Sequence, residues 1–308
     1  MAEPIDVAII GAGPGGMTAG LYAARAGLTT TLLERISPGG QLAQTDKVDN
    51  YPGFPEGAEG WQLAYDMQQQ ALRFGAKIVS EDVVAVDFES DPKRLTCASG
   101  NVFEAKSVIV ATGARPRRLG IDREGELAGR GVSYCATCDG GFFRNKAVAV
   151  VGGGDTAVAD AIYLSRICEH VYLVHRRDEL RATRVYHDAL AQTPNVEFVW
   201  NSTPVSLESG EAGTVTGMTV RDVMTGDERK LDVAAVFVAI GTIPNSEFLG
   251  NAIELDENGY VIADESCRTS VPGVFAIGDV RTKTLRQVVT AVSDGAQAAE
   301  NAAESLAV

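Results

Sequence analysis

The stretch VAIIGAGPGGMTAGLYAARAGLTTTLLER, which starts at Val7, returns in altered form as VAVVGGGDTAVADAIYLSRICEHVYLVHR, which starts at Val148. The offset is 141 throughout, since Gly152 minus Gly11 and His175 minus Glu34 both give it. Each copy reads as a buried strand, a glycine turn, an alanine-rich helix and a second strand, the βαβ opening of a Rossmann unit. A single G-x-G-x-x-G is weak evidence, because glycines also gather in ordinary turns. Here the strand before, the helix after and the charged residue closing the second strand all occur twice. In the first copy Gly11 makes the tight turn, Gly13 lets the backbone approach a pyrophosphate, and Gly16 allows helix to pack on strand. The phosphates then sit on the helix N-terminus, where unpaired N–H groups and the dipole favour negative charge. Gly152, Gly154 and Ala157 hold the same offsets in the second copy. Two dinucleotide sites in one α/β chain are expected.

The residue closing each second strand separates the two sites chemically. Glu34 can accept hydrogen bonds from both ribose hydroxyls, and its charge repels a 2′-phosphate, which suits FAD or NAD. The second copy has His175 there, followed by Arg176, Arg177 and Arg181 in HRRDELRAT. Guanidinium groups match a 2′-phosphate in charge and geometry, which suits NADP. The competing reading is a solvated loop that merely carries arginines.

Two later strands, SVIVATGARP (107–116) and AAVFVAIGTIPN (234–245), are also related, each running into an Ala-x-Gly turn and a proline. Each can end the nucleotide unit before it. A third, GVFAIGDV (273–280), stands alone, and its Asp279 is placed to bind a sugar-like hydroxyl chain such as the ribityl of a flavin. The expected organisation is therefore discontinuous: residues 1–115 with 246–308 as one domain, and 116–245 inserted as the second. The proline turns GARPRRLG and GTIPNSEF are the expected crossings.

GVSYCATCDGGFF (131–143) carries Cys135 and Cys138 just ahead of the second Rossmann strand. Tetrahedral zinc needs two further ligands, and Cys97, Cys168 and Cys267 stand singly. A structural disulfide closing so short a loop constrains the unfolded chain little. Exchangeable dithiol chemistry remains, helped by the lowered pKa of Cys-x-x-Cys thiols, with Asp139 adjacent to carry a proton. No metal is expected. If nicotinamide and disulfide both exchange electrons with one flavin from the inserted domain, they must take turns, which calls for rotation of 116–245 about the proline turns.

The net charge of −14, from 27 basic and 41 acidic residues, argues against nucleic acid or an anionic membrane as the main partner. The N-terminus enters a strand at once, so no signal peptide is expected, and VAAVFVAIG is too short to span a bilayer. Five cysteines, mostly scattered, suit a reducing compartment, and a cytoplasmic location is expected.

Taken together, GAGPGGMTAGLYAARAG, PGGQL, NYPGFP, ATGARPR, CATCDG, GGGDTA, HRRDELRA, FVAIGTIPN, FAIGDV and RQVVTA closely resemble the low-molecular-weight, bacterial-type thioredoxin reductases over nearly the whole chain. The resemblance implies two Rossmann-like three-layer domains, FAD and NADPH as cofactors, a homodimer, and thioredoxin or a thioredoxin-like protein as partner. It implies electron flow from NADPH to FAD, to the Cys135–Cys138 disulfide, to thioredoxin. Cys138 then resembles the thiol nearest the flavin, Cys135 the thiol that attacks the partner, and Asp139 the acid/base group. FAD would be held by Gly11, Gly13, Pro14, Gly15, Gly16, Glu34, Gly40, Gln41, Asn50, Ala111, Thr112, Gly113, Gly278, Asp279, Arg286, Gln287 and Val288. NADPH would lie on Gly152, Gly153, Gly154, Asp155, Thr156, Ala157, Ile240 and Gly241, with His175, Arg176, Arg177 and Arg181 around its phosphate.

The chain departs from the family's usual pattern at Ala159 and Asp160, where a pair of glutamates is common, at Thr242 for histidine, and at Ser293 for glycine. None removes a named chemical role. The competing functions are a related flavoprotein with another acceptor, whether a glutaredoxin-like protein, a peroxiredoxin or ferredoxin, or a dithiol oxidase. From another class comes an NADP(H)-sensing binding protein without turnover. The intact arginine cluster counts against a ferredoxin-linked enzyme, and a missing N-terminal thioredoxin-like domain against a peroxiredoxin-linked one.

Overall fold

Four residues of the first strand, Val7 to Ile10, are 0–4% exposed, which requires cover on both faces and on both edges. In the computed structural model, which describes residues 5–45, 47–183, 190 and 192–307, that cover is a parallel sheet between two packed layers. The chain forms two compact units, residues 1–115 with 243–308, and residues 116–242 inserted between them.

In the first unit the strand Ile5–Ile10 pairs in parallel with Thr30–Glu34 on one side and with Val102–Val110 on the other. Thr30–Glu34 in turn pairs with Lys77–Ser80. The nine-residue strand Val102–Val110 forks along its outer edge: residues near Val102 pair antiparallel with Lys93–Cys97, whereas Val108 to Val110 pair in parallel with Val274–Ala276. Successive side chains point to opposite faces. Val7 and Ile9 therefore join the core beneath the helices Pro14–Arg25 and Val288–Leu306, and Ala8 and Ile10 join the core that holds Leu249, Ile253 and Val261.

The helix Pro14–Arg25 starts with proline at its first turn, where a missing N–H costs nothing. Its small residues let the C-terminal helix come close. A side chain at Gly295 would run into the carbonyl oxygen of Gly15.

The inserted unit repeats the pattern at the same offset, its helix Asp155–Ser165 starting 141 residues after Pro14. Its five-stranded parallel sheet runs Val132–Ser133, Ala235–Val238, Ala147–Val151, His170–Val174, Val196–Val199. Val148 and Val150 pack with Ala157, Ala161 and Leu164 of the helix. Ala149 and Val151 face Leu207, Met218 and Leu231 of a three-stranded antiparallel sheet. Helix, parallel sheet and antiparallel sheet make three layers.

The second crossing falls at Thr242 and Ile243, ahead of the boundary after 245 set from the sequence. The reason is local bonding. Asn245 donates to the Thr112 carbonyl at 2.9 Å and its own carbonyl accepts from Thr112 Oγ1 at 2.6 Å, while Arg115 reaches its side chain at 2.9 Å. The connecting segments Ala114–Pro116 and Thr242–Pro244 pair as a two-stranded sheet.

Candidate active site

Parallel strands place their carboxyl ends together, and in each unit the expected site residues follow those ends. In the first unit the loops after Ile10, Glu34, Val110 and Ala276 leave the sheet side by side, because Ile10 is registered with Leu33 and Val110, and Val110 with Ala276. Gly11 has φ +105°, a left-handed conformation, and a Cβ there would stand 2.6 Å from the Ala111 carbonyl oxygen. Only glycine fits. A Cβ on Gly16 would strike the Gly11 carbonyl oxygen, so the helix rests directly on the loop. At Gly13 the space where a side chain would go is open, as approach by a ligand phosphate requires.

Glu34, half-buried, accepts from the Ala12 N–H at 2.8 Å with one carboxylate oxygen and from the Ile36 N–H at 3.0 Å with the other. The carboxylate is thereby fixed beside the glycine loop, with lone pairs left for hydroxyl donors. An open cavity of about 270 Å³ beside Glu34 is lined by Ile36, Leu72, Ile78 and Ser80. Gly39, just before Gly40, donates its N–H to Ala12 at 2.7 Å. Gln41 donates its side-chain amide to the Ala114 carbonyl. Asn50 donates to Gln287 Oε1 at 2.9 Å, and Gln287 caps the helix that begins at Val288 through a reciprocal pair of bonds with Thr290. Gly113 follows Thr112 with φ +67°.

Asp279 sits in the short 3₁₀ turn Gly278–Val280, and its Oδ1 is buried with no hydrogen-bond partner in the protein. Burial pushes its carboxyl above the usual range, against the pull of Lys283 and Arg286. A buried acceptor without a donor is costly unless a ligand supplies the donor. A polyhydroxylated chain does so, and the residues of this unit fit FAD. Arg286 reaches toward the Asp279 carbonyl at 3.4 Å and stacks over Tyr260, 4.2 Å from the ring centre.

The sequence reading missed the support beneath this turn. Asp294, 7% exposed, accepts the Gly278 N–H at 2.9 Å, binds Arg281 through both oxygens at 2.9 and 3.0 Å, and takes Lys283 at 2.8 Å. No motif marks it. Acidic residues are common on helices, and only burial beside two cations distinguishes this one.

In the inserted unit Gly152, Gly153 and Gly154 follow Val151 into the helix at Asp155. A Cβ on Gly152 would meet the Ala239 carbonyl oxygen, whereas Gly154, like Gly13, faces open space. Ala157 is fully buried under the loop. Asp155 accepts the Thr183 N–H at 2.7 Å and so ties the arginine loop to the helix start, while Thr156 stays exposed. Ile240 is exposed, and the Gly241 carbonyl accepts the Arg117 N–H at 3.0 Å.

His175 does not hold its site as Glu34 does. Its ring lies where a side chain on Gly153 would be, it is 5% exposed, and its Nε2 is buried without a partner. Burial and then the charges of Arg181, Arg177 and Arg176 hold its pKa below the ordinary value, so the imidazole is neutral. Arg176, Arg177 and Arg181 are exposed, and among the described residues no ion pair occupies them.

Cys135 and Cys138 form a disulfide with Cα atoms 5.3 Å apart. The pair follows the strand Val132–Ser133, which is registered with Val236 and Phe237, so it leaves the same end of the sheet as the glycine loop. Asp139 accepts from Ser133 Oγ at 2.6 Å. Cys97, Cys168 and Cys267 are buried free thiols, pushed up by burial to about 11, 11 and 12. Burial keeps them as protonated thiols near neutrality, whereas the disulfide segment is part-exposed.

Residues 5–295 match the family described as pyridine nucleotide-disulphide oxidoreductase. The thioredoxin reductase of Streptomyces clavuligerus is 45% identical over 309 residues, covering 100% of this chain and 95% of that one. The solved thioredoxin reductase of Streptococcus pyogenes MGAS5005 is 41% identical with a TM-score of 0.91, covering 98% of each chain. A Lactococcus lactis thioredoxin reductase, solved in what its authors call the FR conformation, is 40% identical with a TM-score of 0.69, covering 98% of this chain and 99% of that one. With two nucleotide cradles and a Cys-x-x-Cys disulfide in one chain, and identity above 40% end to end, the protein belongs to the pyridine nucleotide-disulphide oxidoreductases and, within them, to the thioredoxin reductases.

Proposed function

We propose that the chain reduces the disulfide of thioredoxin or a thioredoxin-like protein at the expense of NADPH. One NADPH and one proton become NADP⁺, and the partner's disulfide becomes a dithiol. The observation that carries this reading is the Cys135–Cys138 disulfide at the carboxyl end of the inserted sheet, the same end at which the arginine-flanked glycine loop leaves it. FAD, when bound, supplies the two-electron relay between nicotinamide and disulfide.

The protein's own residues do the binding and the proton work. Gly11, Gly13, Pro14, Gly15 and Gly16 receive the FAD pyrophosphate, Glu34 the adenosine ribose, and Asp279 the ribityl chain. Ala111, Thr112 and Gly113 line the same crevice. Gly40, Gln41, Asn50, Arg286, Gln287 and Val288 enclose the remainder, supported by the Asn50–Gln287 bond. Gly152 to Ala157 hold the NADPH pyrophosphate with Ile240 and Gly241 alongside, and Arg176, Arg177 and Arg181 hold its 2′-phosphate. The neutral ring of His175 shapes Gly153 from below and makes no ionic contact. With FAD bound, Cys138 would be the thiol that serves the flavin, Cys135 would attack the partner's disulfide, and Asp139 would carry the proton. The inserted domain rotates so that nicotinamide and disulfide take turns.

We assign a homodimer, supported by the exposed aromatics Trp61 and Tyr65 on the helix Gly60–Arg73. We assign the cytoplasm, supported by three unpaired buried cysteines. Among the described residues no helix is long and apolar enough to cross a membrane.

The test is NADPH oxidation with and without thioredoxin. The wild type should turn over only with thioredoxin, and Cys138→Ser should abolish it. Replacing Arg176 and Arg177 together should shift preference toward NADH. Charge-assisted phosphate contacts contribute about 1.5–3 kcal/mol each, so the kcat/KM ratio should fall by roughly tenfold or more per arginine. Turnover that survives Cys138→Ser would refute the scheme.

A further inference from the structure

We infer that Ser133 is a positioning residue for proton transfer during thiol–disulfide exchange, acting through Asp139. The inference rests on the reading above, in which Asp139 is the acid/base group.

Ser133 is the last residue of a two-residue strand and is 4% exposed. Its position comes from pairing with Phe237, deep in the parallel sheet. The hydroxyl lies 2.6 Å from Asp139 Oδ2, 3.1 Å from the Cys135 nitrogen and 3.3 Å from the Cys135 carbonyl oxygen. One hydroxyl has one proton and two lone pairs. The Cys135 N–H must donate, so it takes a lone pair. The proton goes to Asp139 Oδ2, the nearer acceptor, at a length typical of a charge-assisted O–H···O⁻ bond. The Asp139 N–H meanwhile donates to the Cys135 carbonyl at 3.1 Å. Ser133, Cys135 and Asp139 thus form a closed circuit around the segment that carries the disulfide.

This circuit suits a group that must change protonation without moving. Against a carboxylate the serine donates; against a carboxylic acid it rotates and accepts. Asp139 is therefore held in one place in both forms. In the exchange, Cys135 as thiolate attacks one sulfur of the partner, a mixed disulfide forms, and the partner's S–S bond breaks. The released partner thiolate takes a proton from Asp139. Cys138 then attacks the Cys135 sulfur and re-forms the internal disulfide, releasing the second partner sulfur. The two protons that leave the enzyme's thiols end on the partner's two sulfurs. The enzyme's dithiol is oxidised by two electrons and the partner reduced by two.

A hydrogen bond given to the charged form stabilises that form, so removing it raises the aspartate's pKa. A serine that merely finished a strand would alter stability and leave the pH profile in place.

The experiment measures kcat/KM for thioredoxin against pH in wild type, Ser133→Ala, Ser133→Thr, Asp139→Asn and the Ser133→Ala/Asp139→Asn double variant, each checked for FAD content and melting temperature. Ser133→Ala should lower kcat/KM by about tenfold and move the Asp139 limb upward by about one pH unit. Ser133→Thr, which keeps the hydroxyl, should restore the limb. On the Asp139→Asn background the alanine should cost almost nothing more, because the serine has lost the group through which it acts. An unmoved limb in Ser133→Ala would overturn the inference, as would an equal loss on both backgrounds. The double variant decides the matter even if threonine is too bulky to fold. A wild type that oxidises NADPH but leaves thioredoxin oxidised would fail the functional reading at the outset, so the two failures are distinct.

Discussion

Asp294 can be buried as an anion only because Arg281, Lys283 and the Gly278 N–H are buried with it. Burial by itself would raise its pKa, but those bonds outweigh burial and hold the carboxyl below its usual 3.8. A group with a lowered folded pKa adds stability that is complete above the unfolded value and is lost as pH falls through the folded one. The turn bearing Asp279 should therefore loosen, and FAD fluorescence appear, below about pH 4. Asp294→Asn leaves two cations under-compensated and should cost about 3–5 kcal/mol, read as a lower urea midpoint at pH 7. The same comparison explains why this residue was invisible in the sequence. Gly11, Glu34 and Arg176 announce themselves through a motif at fixed spacing, whereas Asp294 matters through side chains that a linear reading cannot place beside it. Ser133 escaped notice for the same reason, since serine before a cysteine motif carries no signal until its hydroxyl is found on Asp139.

At the scale of elements, glycines that look alike in sequence divide into two kinds. Gly295 is needed because the helix Val288–Leu306 lies against the Gly15 carbonyl oxygen, and Gly13 has nothing near it at all. Gly295→Val should force the helices apart and cost about 1–3 kcal/mol, seen in urea unfolding. Gly13→Ala should leave circular dichroism unchanged and instead reduce the FAD retained on purification, because the backbone at Gly13 is extended with φ −73° and the added methyl meets only ligand. Equal losses of stability in both variants would remove that distinction. The duplicated βαβ openings were legible because buried strands, glycine turns and alanine-rich helices each have a local pattern. The strand Val274–Ala276 was legible within GVFAIGDV, but Val132–Ser133 was not: a two-residue strand is defined by its neighbour in the sheet more than by its own residues.

For the whole molecule, insertion of one nucleotide unit into another leaves two crossings, and the proposed rotation must pass through both. Tying the inserted unit to the remainder with an engineered disulfide should stop steady-state turnover with thioredoxin, and reducing that cross-link should restore it. Full activity in the tied enzyme would dispense with rotation. The connecting segments pair with each other, and the chain crosses back at Thr242 because Asn245 is already bonded to Thr112 and Arg115.

By itself the amino-acid sequence determined the two glycine-loop βαβ units, the position of the redox pair and the discontinuous order of the parts. Those features follow from short-range spacing, which the chain carries in full. The tertiary structure alone decided that the disulfide leaves the same end of its sheet as the second glycine loop. It also decided that His175 lies buried against Gly153, that Asp279 has a buried oxygen with no partner in the protein, that Ser133 is bonded to Asp139, and that Asp294 is buried against Gly278, Arg281 and Lys283. Burial and hydrogen-bond partnership are properties of residues distant in sequence, and they exist only once the sheets have formed.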